Sequence, residues 1–356
     1  MKEKDNVSDG ISGCAYKEAE NEACYYEMLA ENRVRCQLCF RECLIEEGSR
    51  GFCRTRENRS GKLICANYNR PAVINTDPVE KEPLYHFKPG SGMISVGCIG
   101  CNFHCSFCHN WHLSQKDPVR VQEVTRIRPG DLVEKVREEG LEIISFTYNE
   151  PIINYEYLID TAGLAQKQNI KTIVHTNGAI KKPPLRQLLK YIDGLIVDFK
   201  GFSEKAYSDC ARGKLRPVQE TVRNVIEAED EIWMEIIYLV IPEINDSLEE
   251  VKDMAAWLVE NSGQEVPLHL NRAMPAYQQE NLEPVSVDRL EKMRETVLDI
   301  GLNYVYIGNV SGHDANSTFC PGCDNLLISR RQHQIFEKRL ADGNCSECGR
   351  EIEGCW

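Results

Sequence analysis

The feature that most constrains this chain is a loop with three closely spaced cysteines, GCNFHCSFCHNW. The spacing C-x3-C-x2-C belongs to Cys101, Cys105 and Cys108. A zinc site takes four ligands, and its cysteines usually come as close pairs. Three thiolates without a local fourth instead suit a [4Fe-4S] cluster in which one iron stays open to another ligand. The alternative is a zinc knuckle completed by Cys98, His104 or His109.

Composition limits the cellular compartment and the classes of partner that we expect for this chain. Its 356 residues carry a formal net charge of -13 at pH 7, which argues against a broad surface for nucleic acid or anionic membranes. The opening MKEKDNVSDGISG lacks the apolar core of a signal peptide, and no apolar run approaches the roughly 18 residues of a membrane span. Seventeen cysteines without an export signal favour metal sites over a disulfide framework. We therefore expect a cytoplasmic protein with no nucleic-acid and no membrane partner.

The cysteines also suggest how the chain is divided. We predict a polar, partly helical extension over 1–34, a Cys-rich lobe over 35–90, a catalytic barrel over 91–312 and a four-cysteine module over 313–356. Six cysteines stand outside the clustered sets, and because buried free cysteine behaves as a small apolar residue, they receive no role. These six are Cys14, Cys24, Cys65, Cys98, Cys210 and Cys355.

The central region predicts an α/β fold. From about Met93 to Gly308, short β-branched or aromatic runs such as GMISVG, KTIVHTNG and GLIVDFKG predict strands. Between them, stretches such as SLEEVKDMAAWLVENSG place apolar residues three or four apart, the spacing of a helix with one buried face. Alternating strands and helices indicate parallel strands joined by crossover helices. Six such units predict a partial (β/α)6 barrel, with a doubly wound sheet as the alternative.

The cysteine loop, with Phe107 directly before its third cysteine, resembles the signature of the radical S-adenosylmethionine (SAM) superfamily, which uses a partial (β/α)6 barrel. This resemblance implies that SAM chelates the open iron of a [4Fe-4S] cluster. It also implies that one electron cleaves SAM to a 5′-deoxyadenosyl radical, which removes a hydrogen atom from a substrate. The cofactors carry this chemistry and the protein positions them. An electron donor such as flavodoxin or ferredoxin is implied as a partner.

Ligands of parallel α/β folds bind at the carboxyl ends of the strands, and the second predicted strand ends at Thr147-Tyr148-Asn149-Glu150-Pro151. This segment resembles the superfamily's Gly-Gly-Glu-Pro motif for the SAM amino group. The resemblance implies that Glu150 meets the SAM ammonium, although Tyr148 and Asn149 replace the two glycines. The alternative for Glu150 is a carboxylate in a surface turn.

Two later segments resemble pyruvate formate-lyase activating enzyme, which also has a Cys-His-Asn sequence at its cluster. They are Thr176-Asn177-Gly178, preceded here by His175 where that enzyme has an acidic residue, and Asp198-Phe199-Lys200. The resemblance implies that Asp198 and Lys200 lie near SAM, with Lys200 able to meet its carboxylate. His269 is similar to a late-strand histidine near SAM in the same family; a core histidine with satisfied hydrogen bonds is its alternative. No catalytic residue is assigned.

From about Arg35 onward the segments DPVEKEPLYHFKPG, GCNFHCSFCHNW, FTYNEP, YIGNV and CPGC…CSECG, in this order, resemble the AmmeMemoRadiSam group of radical SAM proteins. That group's name implies Memo-like and AMMECR-like partners. The main interpretation is a radical SAM enzyme that abstracts hydrogen from an unidentified substrate. The alternatives are an activase that installs a glycyl radical on a partner protein, an enzyme modifying a small metabolite or a peptide, and a metal-binding adaptor for Memo-like partners.

Two further cysteine sets flank the predicted barrel. At the tail, two CxxC pairs predict a zinc-ribbon-like site, with an auxiliary iron–sulfur cluster or a rubredoxin-like iron as the alternative; its residues are Cys320, Cys323, Cys345 and Cys348. At the amino end, four more thiols predict a site for zinc or an iron–sulfur cluster, since both accept four cysteines. That set is Cys36, Cys39, Cys43 and Cys53.

Overall fold

The computed structural model describes residues 21–116, 126–228 and 232–356. An amino-terminal lobe of short strands comes first. These strands are β1 (Tyr26–Met28), β2 (Val34–Cys36), β3 (Leu44–Ile45), β4 (Arg56–Arg59) and β5 (Lys62–Cys65). The first three form one antiparallel sheet, and β4 and β5 form a hairpin. Cys36 ends β2, and Cys39, Cys43 and Cys53 lie in the loops that join the strands.

The predicted helical extension differs from the structure in its described part, which begins at residue 21. This segment is extended, and β1 pairs with β2 so that Tyr26 lies opposite Cys36. Tyr25 and Tyr26 are buried, and the Tyr25 ring meets the Tyr155 ring edge-on at 5.5 Å. Burial of these aromatic side chains joins the segment to the lobe and the barrel. The rest of the predicted extension lies outside the described residues.

A central sheet of eight strands follows. Its strands are β6 (Val73–Pro78), β7 (Gly92–Gly97), β8 (Ile143–Phe146), β9 (Lys171–Thr176), β10 (Gly194–Phe199), β11 (Trp233–Val240), β12 (Leu268–Arg272) and β13 (Val305–Gly308). Strands β7 to β13 are parallel, and β6 pairs antiparallel with β7 at one edge. The spatial order of the strands follows the chain without reversal. A doubly wound sheet reverses its strand order, so that alternative is excluded.

The sheet therefore has one more parallel strand than the six predicted, and one antiparallel edge strand. Helices connect the parallel strands: α1 (Trp111–Ser114), α2 (Pro129–Glu138), α3 (Tyr155–Gln166), α4 (Lys182–Leu189), α5 (Glu204–Ala206), α6 (Leu215–Ile226), α7 (Leu248–Ser262) and α8 (Val287–Ile300). In α7 the Ser247 side chain accepts a hydrogen bond from the Glu250 amide, and Val251, Met254 and Leu258 are buried. A capped start and one apolar face fix such a helix on the sheet.

The carboxyl-terminal module consists of β14 (Thr318–Phe319), β15 (Leu326–Arg331), β16 (Gln334–Lys338), β17 (Leu340–Ala341) and β18 (Asn344–Cys345). Its Leu327 and Ile328 pack in one buried cluster with Tyr85, Tyr304 and Tyr306. The module therefore shares a core with the last barrel strand. Within the described ranges no helix is long and apolar enough to cross a membrane.

Candidate functional site

The carboxyl ends of the parallel strands open on one large cavity with about 2070 Å³ of empty space. Six residues that the sequence predicted for the site line it: Cys101, Cys105, Cys108, Glu150, Asp198 and Lys200. They come from the loop after β7 and from the ends of β8 and β10. Ligands of parallel α/β folds bind at this edge, so the topology explains why residues distant in the sequence meet here.

The backbone of the cysteine loop is hydrogen-bonded to a single π-helical turn, Tyr207–Ala211. The amides of His104 and Ser106 donate to the carbonyls of Ala211 and Cys210 at 2.9 and 2.8 Å. A Cβ added at Gly213 would lie 2.8 Å from the Phe103 ring, so only glycine allows this approach. Single π-turns are frequent at functional sites, and this one fixes the backbone between the first and third cysteines.

The loop thiols fit an iron–sulfur cluster better than a single ion. Among the described residues, only the four tail cysteines bring three or more ligand atoms within 4.8 Å of one another. The sulfurs of the loop are spread more widely, as a cluster requires, because each thiolate binds its own iron. The residues named for a zinc knuckle have other partners. Cys98 accepts a hydrogen bond from Asn154, His104 contacts the Tyr277 hydroxyl, and His109 contacts the Met274 backbone.

Tyr148 and Asn149, which replace the glycines of the family motif, tie the end of β8 to the cysteine loop. Asn149 accepts from the Cys98 amide at 3.0 Å and donates to the Gly100 carbonyl at 2.7 Å. Tyr148 has a φ of 69°, in the left-handed region that favours glycine. Its hydroxyl donates to Asp77 at 2.8 Å, and its carbonyl accepts from Asn110 at 2.7 Å. Tyr148 thus adopts a backbone conformation that glycine enters more readily, and its hydrogen bonds hold it there.

Glu150 is 1% exposed and accepts three hydrogen bonds. The donors are the Thr176 hydroxyl at 2.7 Å, the Asn177 amide at 2.7 Å and the Ile152 amide at 3.2 Å. Burial raises the pKa of Glu150 to about 7, although these donors act in the opposite direction. The surface-turn alternative for Glu150 does not fit this burial. A buried carboxylate that lines a cavity is suited to meet a cationic group.

Next to Glu150, four charged or titratable side chains form a row along the strand ends: Lys200, Asp198, His175 and Glu82. Lys200 donates to Asp198 at 2.6 Å, and His175 lies between Asp198 at 3.4 Å and Glu82 at 2.9 Å. Burial would raise the pKa of Asp198, but Lys200 and His175 outweigh it and hold that pKa well below its usual range. Burial would lower the pKa of His175, but its two carboxylate partners raise it to about 9. At neutral pH His175 is therefore a cation next to the ionised Asp198.

Glu82 is the residue of this row that the sequence reasoning missed. It belongs to the segment before the barrel, and its carboxylate also accepts from the hydroxyls of Ser145 at 3.1 Å and Thr147 at 2.8 Å. The signal was indirect, since the resembling activating enzyme has an acid where this chain has His175. In this chain the Glu82 carboxylate, from a different part of the sequence, lies next to His175.

His269 is not brought to the cavity with the other predicted residues. It is 1% exposed, and its Nε2 lies 2.6 Å from a Glu235 carboxylate oxygen. Its ring lies between those of Tyr85 and Tyr306, with centroids 4.7 and 5.0 Å away. This environment matches the alternative of a core histidine with satisfied hydrogen bonds. Glu235 also accepts from the amides of Tyr85 and His86, so its pair with His269 connects three parts of the core.

The carboxyl-terminal module contributes two lining residues at the far side of the cavity, Gln332 and His333. They sit between β15 and β16, and the His333 Nδ1 lies 3.4 Å from the Glu80 carbonyl oxygen. Sequence reasoning gave this module only a metal site. The shared core described above explains why it reaches the cavity.

The four tail cysteines form a compact group that could hold a metal ion. The sulfurs of Cys320 and Cys348 are 3.6 Å apart, and those of Cys323 and Cys345 are 3.7 Å apart. The amino-terminal set lies elsewhere, around a second, smaller cavity lined by Cys36, Cys39, Cys43 and Cys53. The cysteines of all three sets are free thiols, whereas Cys24 is disulfide-bonded.

Comparison with known proteins supports this arrangement. The family described as the radical SAM superfamily matches residues 96–258. An uncharacterized protein of Methanocaldococcus jannaschii is 37% identical over 336 residues, covering 93% of this chain and 98% of that protein. Pyruvate formate-lyase-activating enzyme of Clostridium pasteurianum is 25% identical over 164 residues, covering 44% of this chain and 65% of that enzyme.

Among solved structures, a domain of pyruvate-formate lyase-activating enzyme from Bacteroides vulgatus is similar at 20% identity with a TM-score of 0.41, covering 46% of this chain and 98% of that domain. The sequence matches, the parallel sheet and the cysteine loop agree with one another. The chain belongs to the radical SAM superfamily.

Proposed function

We propose that this chain is a radical SAM enzyme that cleaves SAM reductively and abstracts a hydrogen atom from a substrate bound in the large cavity. The observation that carries the proposal is the meeting of three thiols with a carboxylate and a lysine–aspartate pair in one cavity. Cys101, Cys105 and Cys108 would hold three irons of a [4Fe-4S] cluster. When bound, the cluster and SAM would supply an electron and a 5′-deoxyadenosyl radical.

The charges of the cavity suit the polar groups of SAM. Glu150 offers a buried carboxylate to the ammonium, with its geometry fixed by three donors. Lys200 offers a point charge to the SAM carboxylate, and Asp198 orients that lysine through a 2.6 Å contact. His175 and Lys200 keep Asp198 ionised, and Glu82 continues the row beyond His175. These residues would bind and orient the cofactor without themselves taking part in bond cleavage.

The size of the cavity leaves room for a substrate beyond the cofactor. Part of its wall is formed by Asn271, by residues 308–311 and by Gln332 and His333. Apart from Gly308 and Val310 these residues have polar side chains, and none of them belongs to the proposed SAM contacts. We place the substrate against this wall, where the carboxyl-terminal module takes part in its recognition.

The test is anaerobic reduction of the full chain in the presence of SAM, scored for 5′-deoxyadenosine. The triple variant with Cys101, Cys105 and Cys108 replaced by Ala should yield none. A matched control is Cys355→Ser, a half-buried thiol outside all three cysteine sets, which should cleave SAM like the parent. Unchanged product in the triple variant, or none in the parent with its iron fully loaded, would contradict the proposal.

A second candidate is the narrower activity of an activase that installs a glycyl radical on a partner protein. It is favoured by the likeness to pyruvate formate-lyase-activating enzyme and to 4-hydroxyphenylacetate decarboxylase activating enzyme of Clostridioides difficile, 21% identical over 178 residues. Mixing the reduced chain and SAM with a glycyl-radical enzyme encoded in the same genome should then give a protein radical signal. An adaptor for Memo-like partners would instead bind them without cleaving SAM.

Two partners and one further metal belong to this proposal. A flavodoxin or ferredoxin would deliver the electron. Memo-like and AMMECR-like proteins are candidate binding partners on the grounds of sequence resemblance. For the tail cysteines we propose zinc, because thiolates about 2.3 Å from a tetrahedral zinc lie about 3.8 Å from one another, close to the 3.6 and 3.7 Å between the paired sulfurs.

A further inference from the structure

The amino-terminal lobe contains a second, small cavity that does not belong to the site described above. All four cysteines of the lobe line it, and the rest of its wall includes the apolar side chains of Leu38, Ile45, Ile152 and Ile153. Cys36 and Cys53 are buried, and Cys39 and Cys43 are partly buried. The thiols therefore surround a shielded space rather than pack against one another.

The spacing of these thiols distinguishes between the two kinds of site that four cysteines can form, a zinc site and an iron–sulfur cluster. Around zinc, four thiolates bind one ion and must lie about 3.8 Å apart, as the sulfurs of the tail module do. In the lobe, whose four cysteines all lie among the described residues, no three ligand atoms come within 4.8 Å of one another. A cluster spreads its thiolates, because each of them binds a different iron at a corner of the cube.

A buried cation lies beside the same cavity. Arg56, which lines it, is 1% exposed and donates through Nη1 to Glu156 at 2.7 Å. Its Nε and Nη2 are buried and have no hydrogen-bond partner among the described residues. Unpaired donors of a buried guanidinium are costly. An anionic metal centre held by the four thiolates would offer sulfur acceptors to them.

The two cavities are neighbours. Adjacent residues of the cysteine loop line different cavities, with Cys101 facing the large one and Asn102 the small one. The turn after β8 does the same, since Glu150 lines the large cavity and Ile152 the small one. Arg41 of the lobe donates through Nε to the Asn102 carbonyl at 2.5 Å. The lobe site is thus joined directly to the loop that carries the radical SAM thiols.

From these observations we infer that Cys36, Cys39, Cys43 and Cys53 hold a second [4Fe-4S] cluster beside the radical SAM cluster. Four protein thiolates leave none of its irons open, so this cluster exchanges electrons and does not bind SAM or substrate. Its place against the cysteine loop suits it to pass an electron to the radical SAM site. The binding of the cluster itself does not depend on the proposed function of the barrel.

The experiment compares three forms of the full chain after anaerobic reconstitution with iron and sulfide. The parent should contain two clusters, or about eight irons per chain. The variant with Cys101, Cys105 and Cys108 changed to Ala should keep about four irons, with a reduced-cluster paramagnetic signal that SAM leaves unchanged. The variant Cys39→Ser/Cys43→Ser should lose the other four and keep a signal that SAM perturbs.

Circular dichroism and zinc analysis of each form check that the chain still folds and that the tail site is intact. Cys355→Ser should match the parent in iron and zinc. If the variant without the three loop cysteines retains no iron and instead holds about two zinc ions per chain, the lobe site is a zinc site and the inference is overturned. A folded variant of that kind with one zinc and no iron overturns it as well. Neither result depends on whether the parent cleaves SAM.

Discussion

At the scale of single residues, the site is a set of charges held in place by neighbours that touch no cofactor. Glu150 receives three hydrogen bonds, and Asp198 has a cation on each side. Such charges are expensive to bury unless they are paired or meet a ligand of opposite charge. The burial of Glu150 without a basic side chain in hydrogen-bonding contact is therefore the strongest local indication of a cationic ligand.

The first prediction follows from this pairing. Glu150→Gln, Asp198→Asn and Lys200→Met should each weaken SAM binding by roughly ten- to hundredfold, because loss of a charge-assisted hydrogen bond costs about 1.5–3 kcal/mol. Iron content should stay at the parent level, since none of these residues is an iron ligand. Titration of SAM into cluster-loaded protein measures the effect. Glu249→Gln, at an exposed position of α7, is the control; parent-like affinity in all three site variants would refute the assignment.

A second prediction concerns the residue that replaces a motif glycine. Asn149→Gly removes both side-chain bonds to the cysteine loop, leaving the Cys98 amide and the Gly100 carbonyl unpaired. Loss of a buried partner costs about 1–3 kcal/mol, so the loop should open more often. We expect a chelator to remove iron several times faster from this variant than from the parent. Asn224→Gly would confuse the comparison by weakening α6, so Asn224→Ala serves as the surface control; equal rates of iron loss in Asn149→Gly would contradict the role of Asn149.

At the scale of elements, much of the fold could be predicted because strand and helix patterns repeat so regularly. Strands β7 to β12 lie at the β-branched or aromatic runs that predict strands, and the predicted cavity residues follow β7, β8 and β10. Strand β13 was missed since its four residues follow helix α8 closely and their neighbours gave no separate alternation. Strand β6 was missed because its sequence, VINTDP, is largely polar and half exposed, which is typical of a sheet edge.

His269 shows what sequence cannot resolve in a buried strand. It lies on the same face of β12 as Asn271, which lines the cavity, because side chains two residues apart in a strand share a face. His269 lies farther from the carboxyl end of the strand and contacts Glu235 on β11. Glu82 shows the converse, because its approach to His175 depends on how a segment outside the barrel docks. Both outcomes rest on tertiary packing, which local patterns do not encode.

The pair of Glu235 and His269 gives a prediction about β11 and β12. Burial would raise the pKa of Glu235, but His269, His86 and Trp233 outweigh it and lower that pKa to about 2. A carboxyl with a depressed native pKa stabilises the fold above its unfolded pKa, about 4.3, and this contribution disappears as pH falls toward 2. Glu235→Gln should therefore cost about 3–5 kcal/mol at neutral pH.

Denaturant unfolding of parent and Glu235→Gln measures this cost. The gap in unfolding free energy should begin to narrow below about pH 4.3, where the unfolded carboxyl takes up its proton. Glu249→Gln, at its exposed position, should follow the parent throughout. A gap that is absent at neutral pH, or that widens with acid, would show that the charge of Glu235 does not hold these strands.

At the scale of the whole molecule, the three groups of cysteines lie in three parts of the chain: the amino-terminal lobe, the barrel and the carboxyl-terminal module. Arg41 of the lobe donates to Asn102 of the cysteine loop, and Gln332 and His333 of the carboxyl-terminal module line the large cavity. The barrel thus contacts two modules that are too small to have large cores of their own. Small modules of this kind commonly depend on bound metal for their stability.

Removing the metal of the tail cysteines should therefore loosen the carboxyl-terminal module, and through it disturb the wall of the large cavity. In Cys345→Ser/Cys348→Ser, one zinc per chain should be lost, because two thiolates cannot complete a tetrahedral site. Binding of a structural zinc is itself folding free energy, so residues 318–356 should become open to limited proteolysis. Iron content should persist, since the loop cysteines are held by the π-turn and by Asn149. Turnover of a substrate bound against Gln332 and His333 should fall more than SAM binding does.

Mass spectrometry of the proteolytic fragments, together with zinc and iron analysis, measures this outcome in the full chain. The isolated module is a poor test, because Leu327 and Ile328 share their core with Tyr85 and Tyr306 of the barrel side. Cys355→Ser is the matched control, since it removes a nearby thiol outside the compact group and should leave zinc and protease resistance unchanged. If the double variant keeps its zinc, or loses it without any new cleavage between residues 318 and 356, then the metal does not organise this module, and its hold on the cavity wall rests on the shared aromatic core alone.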